Sequence, residues 1–169
     1  MLKYWQMEYE SKMEIKIRTA NPDDSNGLAR LARNLEFFHE LENEPFEVTQ
    51  NRIAQHLAQC TRDENRAVIY VAVTPADQIV GYAAVYWHTY LFHTGAEGYL
   101  SELFLSAEAR GQGIGSCLLE CVEEEARRRG CRRLTLINMR QRESYQREFY
   151  KKHGWQERTE AANFVKSLV

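Results

Sequence analysis

The sequence predicts an α/β (α+β) fold, a mixed and mostly antiparallel sheet that includes one parallel strand pair. Three observations predict it. Ala67 to Thr74 and Ile79 to Tyr90 are β-rich runs separated by Pro75-Ala76-Asp77-Gln78, which reads as a hairpin. After the next strand, Tyr99 to Leu105, the pattern switches to helical period, with Ile114, Leu118, Cys121, Val122 and Glu125-Ala126 stepping along one helix. Leu134-Thr135-Leu136-Ile137 then forms a short apolar run of the kind buried in a parallel pair, so strand, helix and strand make a right-handed crossover.

The remaining elements follow in order. Ile15 and Ile17 alternate with Glu14, Lys16 and Arg18 as a first strand ending at Thr19-Ala20-Asn21-Pro22. A helix follows with apolar positions Leu28, Leu31, Leu35 and Phe38, and Asp23, Asp24 and Ser25 supply capping groups and negative charge at its start. The acidic stretch Glu40 to Glu47, broken by Pro45, reads as a loop before a second helix capped by Thr49 and running to about Cys60. His93 to Gly98 forms a turn, and Gly130 can terminate the crossover helix. Arg142 to His153 reads as a last helix with Gly154 at its end, and two closing strands are expected around Trp155-Gln156-Glu157 and from Asn163 to Leu168. Residues 1–12 stand apart as an N-terminal extension of a domain spanning 13–169, with Met13 an alternative start.

A chain of 169 residues, 44% hydrophobic, fits one compact domain without a metal or disulfide framework. With 22 basic and 24 acidic side chains, the net charge of -2 leaves no electrostatic footprint for nucleic acid or an anionic membrane. The longest apolar runs, such as Ala83 to Trp87, are far shorter than the roughly 20 residues of a membrane helix. The start lacks the apolar stretch of a signal peptide, so a cytoplasmic protein is expected. Cys60, Cys117, Cys121 and Cys131 form no Cys-x-x-Cys pair. Nothing completes a site around Cys117 and Cys121, so no metal is expected.

The most informative segment is Arg110-Gly111-Gln112-Gly113-Ile114-Gly115, between a strand and an amphipathic helix. Glycines let the backbone approach a ligand, and exposed amides at a helix start nest phosphate oxygens. A dinucleotide fold or a plain structural turn would also produce such a segment. The Gly-Lys-Ser/Thr ending of a nucleotide-triphosphate loop is absent, however, and a dinucleotide fingerprint belongs at the first strand of a doubly wound sheet.

With Arg110, Gly113 and Gly115 in place, the sequence resembles the GNAT acetyltransferase superfamily. The likeness extends upstream to Leu103-Phe104-Leu105 and downstream to Phe149-Tyr150, followed by Gly154-Trp155. The order from Val80-Gly81-Tyr82 to Tyr99 through Phe104 is similar to the diamine and small-amine branch. The resemblance implies a single domain with helices on both faces of the sheet, a splayed central strand pair, and acetyl-coenzyme A as cosubstrate. Its pantetheine arm would lie along Leu103, Phe104 and Leu105, and its pyrophosphate on the amides of Gly111, Gln112, Gly113, Ile114, Gly115 and Ser116. The implied reaction is acetylation of a primary amine by direct attack on the thioester, with Tyr150 protonating the departing sulfur. Glu102, on the strand beside the thioester position, is the candidate base, directly or through water, and strand alternation puts it on one face with Phe104. Glu143 stands where many members carry an asparagine; Asn138 is the candidate replacement for its contact to the pantetheine arm. Ser144-Tyr145-Gln146-Arg147 is bulkier than the usual pattern, and Tyr145 offers an alternative hydroxyl.

By the same resemblance, the acceptor pocket is built from the first two helices, their loop and the hairpin. Those segments hold Glu36, Glu40, Glu42, Glu44 and Glu47 with Tyr82, Tyr86, Trp87, Tyr90 and Phe92, and His88 and His93 near the mouth. Carboxylates and aromatic faces suit a cationic small-molecule amine such as a polyamine or amino sugar. Two other readings stay open: a protein N-acetyltransferase acting on lysine or an N-terminal amine, and a coenzyme A-binding module without catalysis. A homodimer is compatible with the family.

Overall fold

In the computed structural model, residues 14–35, 38–63 and 65–168 are described. The N-terminal extension 1–12, Met13 and Glu36 lie outside the described residues. The chain divides into two compact units, Met1–Leu136 and Ile137–Val169.

The first unit holds a five-stranded sheet in the order β1-β2-β3-β4-β5. Its strands are β1 Lys16–Thr19, β2 Ala67–Val73, β3 Ile79–Thr89, β4 Ala96–Leu105 and β5 Arg133–Thr135. The first three pairings are antiparallel and β4 with β5 is parallel. Three longer helices accompany them: α1 Ser25–Arg33, α2 Phe46–Arg62 and α3 Ile114–Arg128. β2, Ala-Val-Ile-Tyr-Val-Ala-Val, is buried along both faces, which explains why it reads as a nearly continuous apolar run. Leu28, Leu31, Leu57 and Cys60 from α1 and α2 pack on Ile69, Val71, Val73, Tyr82 and Ala84. Leu118, Leu119 and Val122 of α3 are fully buried, and α3 lies against β2, β3 and β4.

Two ion pairs fasten the frame. Asp24, 7% exposed, receives both Arg18 guanidinium nitrogens at 2.7 Å and the Asn21 amide at 2.8 Å. This ties β1 to the 3-10 turn Pro22–Asp24, where Asn21 closes a capping box. Glu97, 4% exposed, pairs with Arg133 and accepts from the Thr135 hydroxyl at 3.2 Å. It thereby staples the parallel pair where the two strands run together.

Several boundaries differ from the sequence expectation. α1 ends at Arg33, short of Leu35 and Phe38, because the Arg33 guanidinium turns to the carbonyls of Leu41 and Glu44 and Asn34 closes the helix. α2 starts directly after Pro45, whose ring fixes the entry. Thr49 does not cap it; fully buried in the first turn, it donates to Glu44 at 2.7 Å. β4 begins three residues early, at Ala96, and β5 is limited to the residues that pair with Glu97, Gly98 and Tyr99.

In the second unit the last helix is two short ones, α4 Glu143–Gln146 and α5 Phe149–Lys152. They break at Glu148, whose φ of 56° is left-handed and cannot continue a helix. The two closing strands do not form: residues 155–168 carry no strand, and Phe164, Val165 and Leu168 are 91%, 86% and 86% exposed. β-Branched and aromatic residues favour a strand only where a neighbouring ladder and a face to cover are present, and this segment has neither among the described residues.

Candidate active site

The glycine turn opens α3. Gly111 and Gly113 have φ of 73° and 80°, and Gly113 is the residue immediately before the helix. This left-handed geometry is open to glycine at little cost. The amides of Ser116 and Cys117 fold back on the Gly113 carbonyl at 2.9 and 3.1 Å. None of the amides from Gly111 to Gly115 donates to a carbonyl of the described residues. Several backbone N–H groups at the positive end of a 15-residue helix make a concave anion site. The Gln112 side chain bends back to the Glu108 carbonyl at 2.6 Å, and Arg110 is exposed.

β4 leads into this turn. Its parallel partner pairs only with Glu97, Gly98 and Tyr99, so from Leu100 to Leu105 the strand is laddered to β3 alone among the described residues. The parallel pair therefore parts ahead of Leu103, Phe104 and Leu105. The β3–β4 register slips between Ala84–Glu102 and Val85–Leu100, which leaves Ser101 as an extra residue whose hydroxyl donates to the Ala84 carbonyl at 3.1 Å. Beyond the bulge, Phe104 lies opposite Tyr82 and Glu102 opposite Ala84, so Glu102 and Phe104 share the face that α1 and α2 cover.

Glu102 opens into a cavity of about 460 Å3 between that face and the two helices. Tyr82 and Tyr86 of β3 flank it, and Arg52, Gln55, His56 and Gln59 of α2 supply the facing polar groups. His56 Nε2 lies 2.8 Å from the Tyr86 hydroxyl and 3.8 Å from Cys60 Sγ. Burial, and after it the neighbouring Glu102 carboxylate, push the Tyr82 phenol far above the ordinary tyrosine range. The same two causes raise Tyr86. Both phenols therefore stay protonated at neutral pH.

The acidic loop does not supply this cavity's charge. Glu44 is held by hydrogen bonds from Arg52 and Thr49, which with the charges of Arg52 and Arg33 keep its pKa below the usual value. Glu40, Glu42 and Glu47 are exposed and do not line the cavity. Among the expected aromatics only Tyr82 and Tyr86 line it. Trp87 lies under the Arg129 guanidinium, while Tyr90 and Phe92 are 45% and 90% exposed on the hairpin tip. His88 stacks near Tyr99 and His93 near Tyr90. Sequence reasoning passed over His56. Its signal was present in the spacing Ile53, His56, Leu57, Cys60, which puts an imidazole on the inner stripe of an amphipathic helix.

Asn138 and Tyr150 belong to the second unit. The Asn138 side-chain oxygen accepts from Ser144 at 3.1 Å, leaving its NH2 group to donate elsewhere. Tyr150 packs against Phe149 and Trp155, with ring centroids 5.0 and 5.8 Å away. Burial pushes its pKa up to about 12 against the opposing pull of Arg142 and Arg147. Its proton is thus retained at neutral pH. Tyr145 is engaged elsewhere, donating to Glu157 at 3.0 Å beside Arg140.

A strand that brings a carboxylate to a small polar cavity thus runs directly into a turn whose amides can receive an anion. The acetyltransferase (GNAT) family model matches residues 35–155. Thialysine N-epsilon-acetyltransferase of Bos taurus is 28% identical over 153 residues, covering 87% of each chain. Aminoalkylphosphonate N-acetyltransferase of Salmonella typhimurium is 33% identical over 81 residues, covering 47% of this chain and 51% of that one. Among solved structures, a transcriptional regulator of Bacillus halodurans shares the fold with a TM-score of 0.76 and 24% identity, covering 90% of this chain and 99% of that one. The chain belongs to the acetyltransferase (GNAT) family, as an N-acetyltransferase, and acetyl-coenzyme A is the cosubstrate of that family. No group of three or more potential ligands that could hold a metal ion occurs among the described residues, and no helix there is long and apolar enough to cross a membrane.

Proposed function

We propose that the chain acetylates the primary amine of a small molecule held in the cavity between α2, β3 and β4. The observation that carries this reading is Glu102, a carboxylate set between two protonated tyrosines in a space of about 460 Å3. A volume of that order accommodates a small metabolite. Two relatives named for acetylating an ε-amine and an aminoalkylphosphonate support a small acceptor.

In this reading, Glu102 takes a proton from the bound ammonium, directly or through water, and frees the nitrogen lone pair. The nitrogen attacks the thioester carbonyl and the C–N bond forms. Collapse breaks the C–S bond and Tyr150 gives its proton to the sulfur; the second proton of the amine passes through solvent to restore the phenol, and Glu102 releases the proton it took to solvent. The open amides from Gly111 to Gly115, with Gln112 and Ser116 in the same turn, receive the pyrophosphate, and Arg110 adds a positive charge at its rim. Leu103, Phe104 and Leu105 offer the pantetheine arm an unladdered strand edge, and Asn138 offers it an amide donor. Four free cysteines fit a reducing, cytoplasmic setting. The net charge of -2 supports a reading without a nucleic-acid partner.

The test is coenzyme A release and acceptor mass shift with a panel of amino acids, aminoalkylphosphonates, amino sugars, polyamines and short peptides, with Tyr150→Phe and Glu102→Gln alongside. Turnover of one small-amine class, lowered about 100-fold or more by each substitution, is the expected result. Turnover of peptides alone would move the acceptor to a protein. Absence of acetyl-coenzyme A binding would overturn the assignment of the glycine turn.

A further inference from the structure

We propose that His56 is a positioning residue of the acceptor site: it fixes the Tyr86 phenol as a hydrogen-bond acceptor toward the incoming amine, and protonation of its imidazole reverses that polarity. This rests on reading the cavity as the acceptor site.

The argument starts from proton counting. Tyr86 is half-buried and stays protonated, so its single O–H needs an acceptor. The partner at hydrogen-bond distance is His56 Nε2, 2.8 Å away. The phenol therefore donates to Nε2, the imidazole is neutral, and its proton sits on Nδ1. The oxygen lone pairs of Tyr86 then face the cavity that Glu102 also lines. An amine or ammonium brings two or three N–H donors, and this wall meets them with acceptors.

If His56 takes a second proton from solvent, Nε2 becomes a donor and Tyr86 must accept from it. The phenol hydrogen swings into the cavity, and a donor then confronts a donor. The groups facing the imidazole are Arg52, Gln59 and Cys60 on α2, Tyr82 and Tyr86 on β3, and Glu102 on β4; Arg66, just ahead of β2, acts on both Tyr86 and Cys60. Arg52 is committed to Glu44, and burial holds the Cys60 thiol up.

Two measurements test the proposal. Long-range 1H–15N correlation of the imidazoles at pH 8 is expected to show His56 with a bare Nε2 and a protonated Nδ1, and the Nε2 resonance should move in Tyr86→Phe. An Nε2–H tautomer in the unsubstituted protein would overturn the proposal whatever the activity. In steady-state kinetics, acceptor KM should rise about tenfold as pH is lowered from about 8 to about 5.5, with kcat changing less. Titration of the amine itself is common to every variant and cancels in the comparison. His56→Leu should raise acceptor KM about five- to tenfold at high pH. His56→Gln, which can accept but not titrate, should recover most of that loss and flatten the profile, and Tyr86→Phe should lose the acid limb with His56 intact. An unchanged acid limb in either of the last two variants would refute it. Failure to acetylate any amine would instead sink the proposed function, with the tautomer result standing on its own.

Discussion

Gly98 gives a demanding test of how the sheet is built around its parting pair. An added Cβ would lie 2.5 Å from Leu134 Cδ2, 2.7 Å from Trp87 Cζ3 and 3.1 Å from Trp87 Cε3, whereas ordinary contact begins at 3.4 Å. The shortfalls against Leu134 and Cζ3 are therefore 0.9 and 0.7 Å. Leu134 Cδ2 is the end of a side chain and can swing. The Trp87 ring is stiff and has the Arg129 guanidinium over it at 4.7 Å. Overpacking of this kind costs about 1–3 kcal/mol. For a chain of this length each kcal/mol lowers Tm by about 2–4 °C, so Gly98→Ala should melt roughly 2–12 °C below the parent. Thermal denaturation followed by circular dichroism measures it, with denaturant unfolding as a second axis. A Tm within roughly 1 °C of the parent would show that β3, β4 and β5 are not as closely set at Gly98 as described.

Gly111→Ala is the complementary case: nothing lies within 4 Å of the added Cβ, and φ of 73° leaves a backbone cost of about 1–2 kcal/mol. Calorimetric titration should show acetyl-coenzyme A affinity down about tenfold with Tm lowered by only a few degrees. Arg18→Met strands a carboxylate that is 7% exposed and should cost about 3–5 kcal/mol in urea unfolding. Burial alone would raise the pKa of Asp24, but Arg18 and the Asn21 amide outweigh it and hold the group below 3.8. Its contribution is therefore present above the unfolded value near 3.8 and fades as pH falls through the lower folded value. Urea midpoints should drop below about pH 4 in the parent, and Asp24→Asn should lack that part of the drop.

The hairpin, the crossover helix and the glycine turn were legible because each has a local cause: alternation around Pro75 to Gln78, an apolar stripe at helical spacing, and positive φ at Gly111 and Gly113. What escaped depends on particular partners that local periodicity does not reveal. Pro45 rather than Thr49 starts α2, because the Thr49 hydroxyl is taken by Glu44. β5 is as short as its ladder with Glu97 to Tyr99. The apolar residues of 163–168 looked like a strand but have no edge to complete it among the described residues. Glu102, Tyr82 and Tyr86, singled out in the sequence, line the cavity. His56 was not singled out, since an imidazole on an inner helix stripe gains its meaning only when Tyr86 arrives opposite, 30 residues away. The acidic loop misled in the other direction: a run of glutamates announces charge, and only tertiary structure shows it spent on Arg52 or on solvent.

The extra residue at Ser101 divides β4 into two segments with separate duties. Upstream, Glu97 to Tyr99 answer to the parallel partner, and any change there is judged by folding. Downstream, Glu102 to Leu105 answer to whatever occupies the cavity and the open edge. In an unbroken strand the parity of Tyr99 would dictate that of Glu102, three residues on, and send them to opposite faces. The slip lets both point the same way. Variation in the cavity wall is thereby uncoupled from the pairing that assembles the sheet, so the side chains facing the cavity can change without renegotiating the strand's own fold.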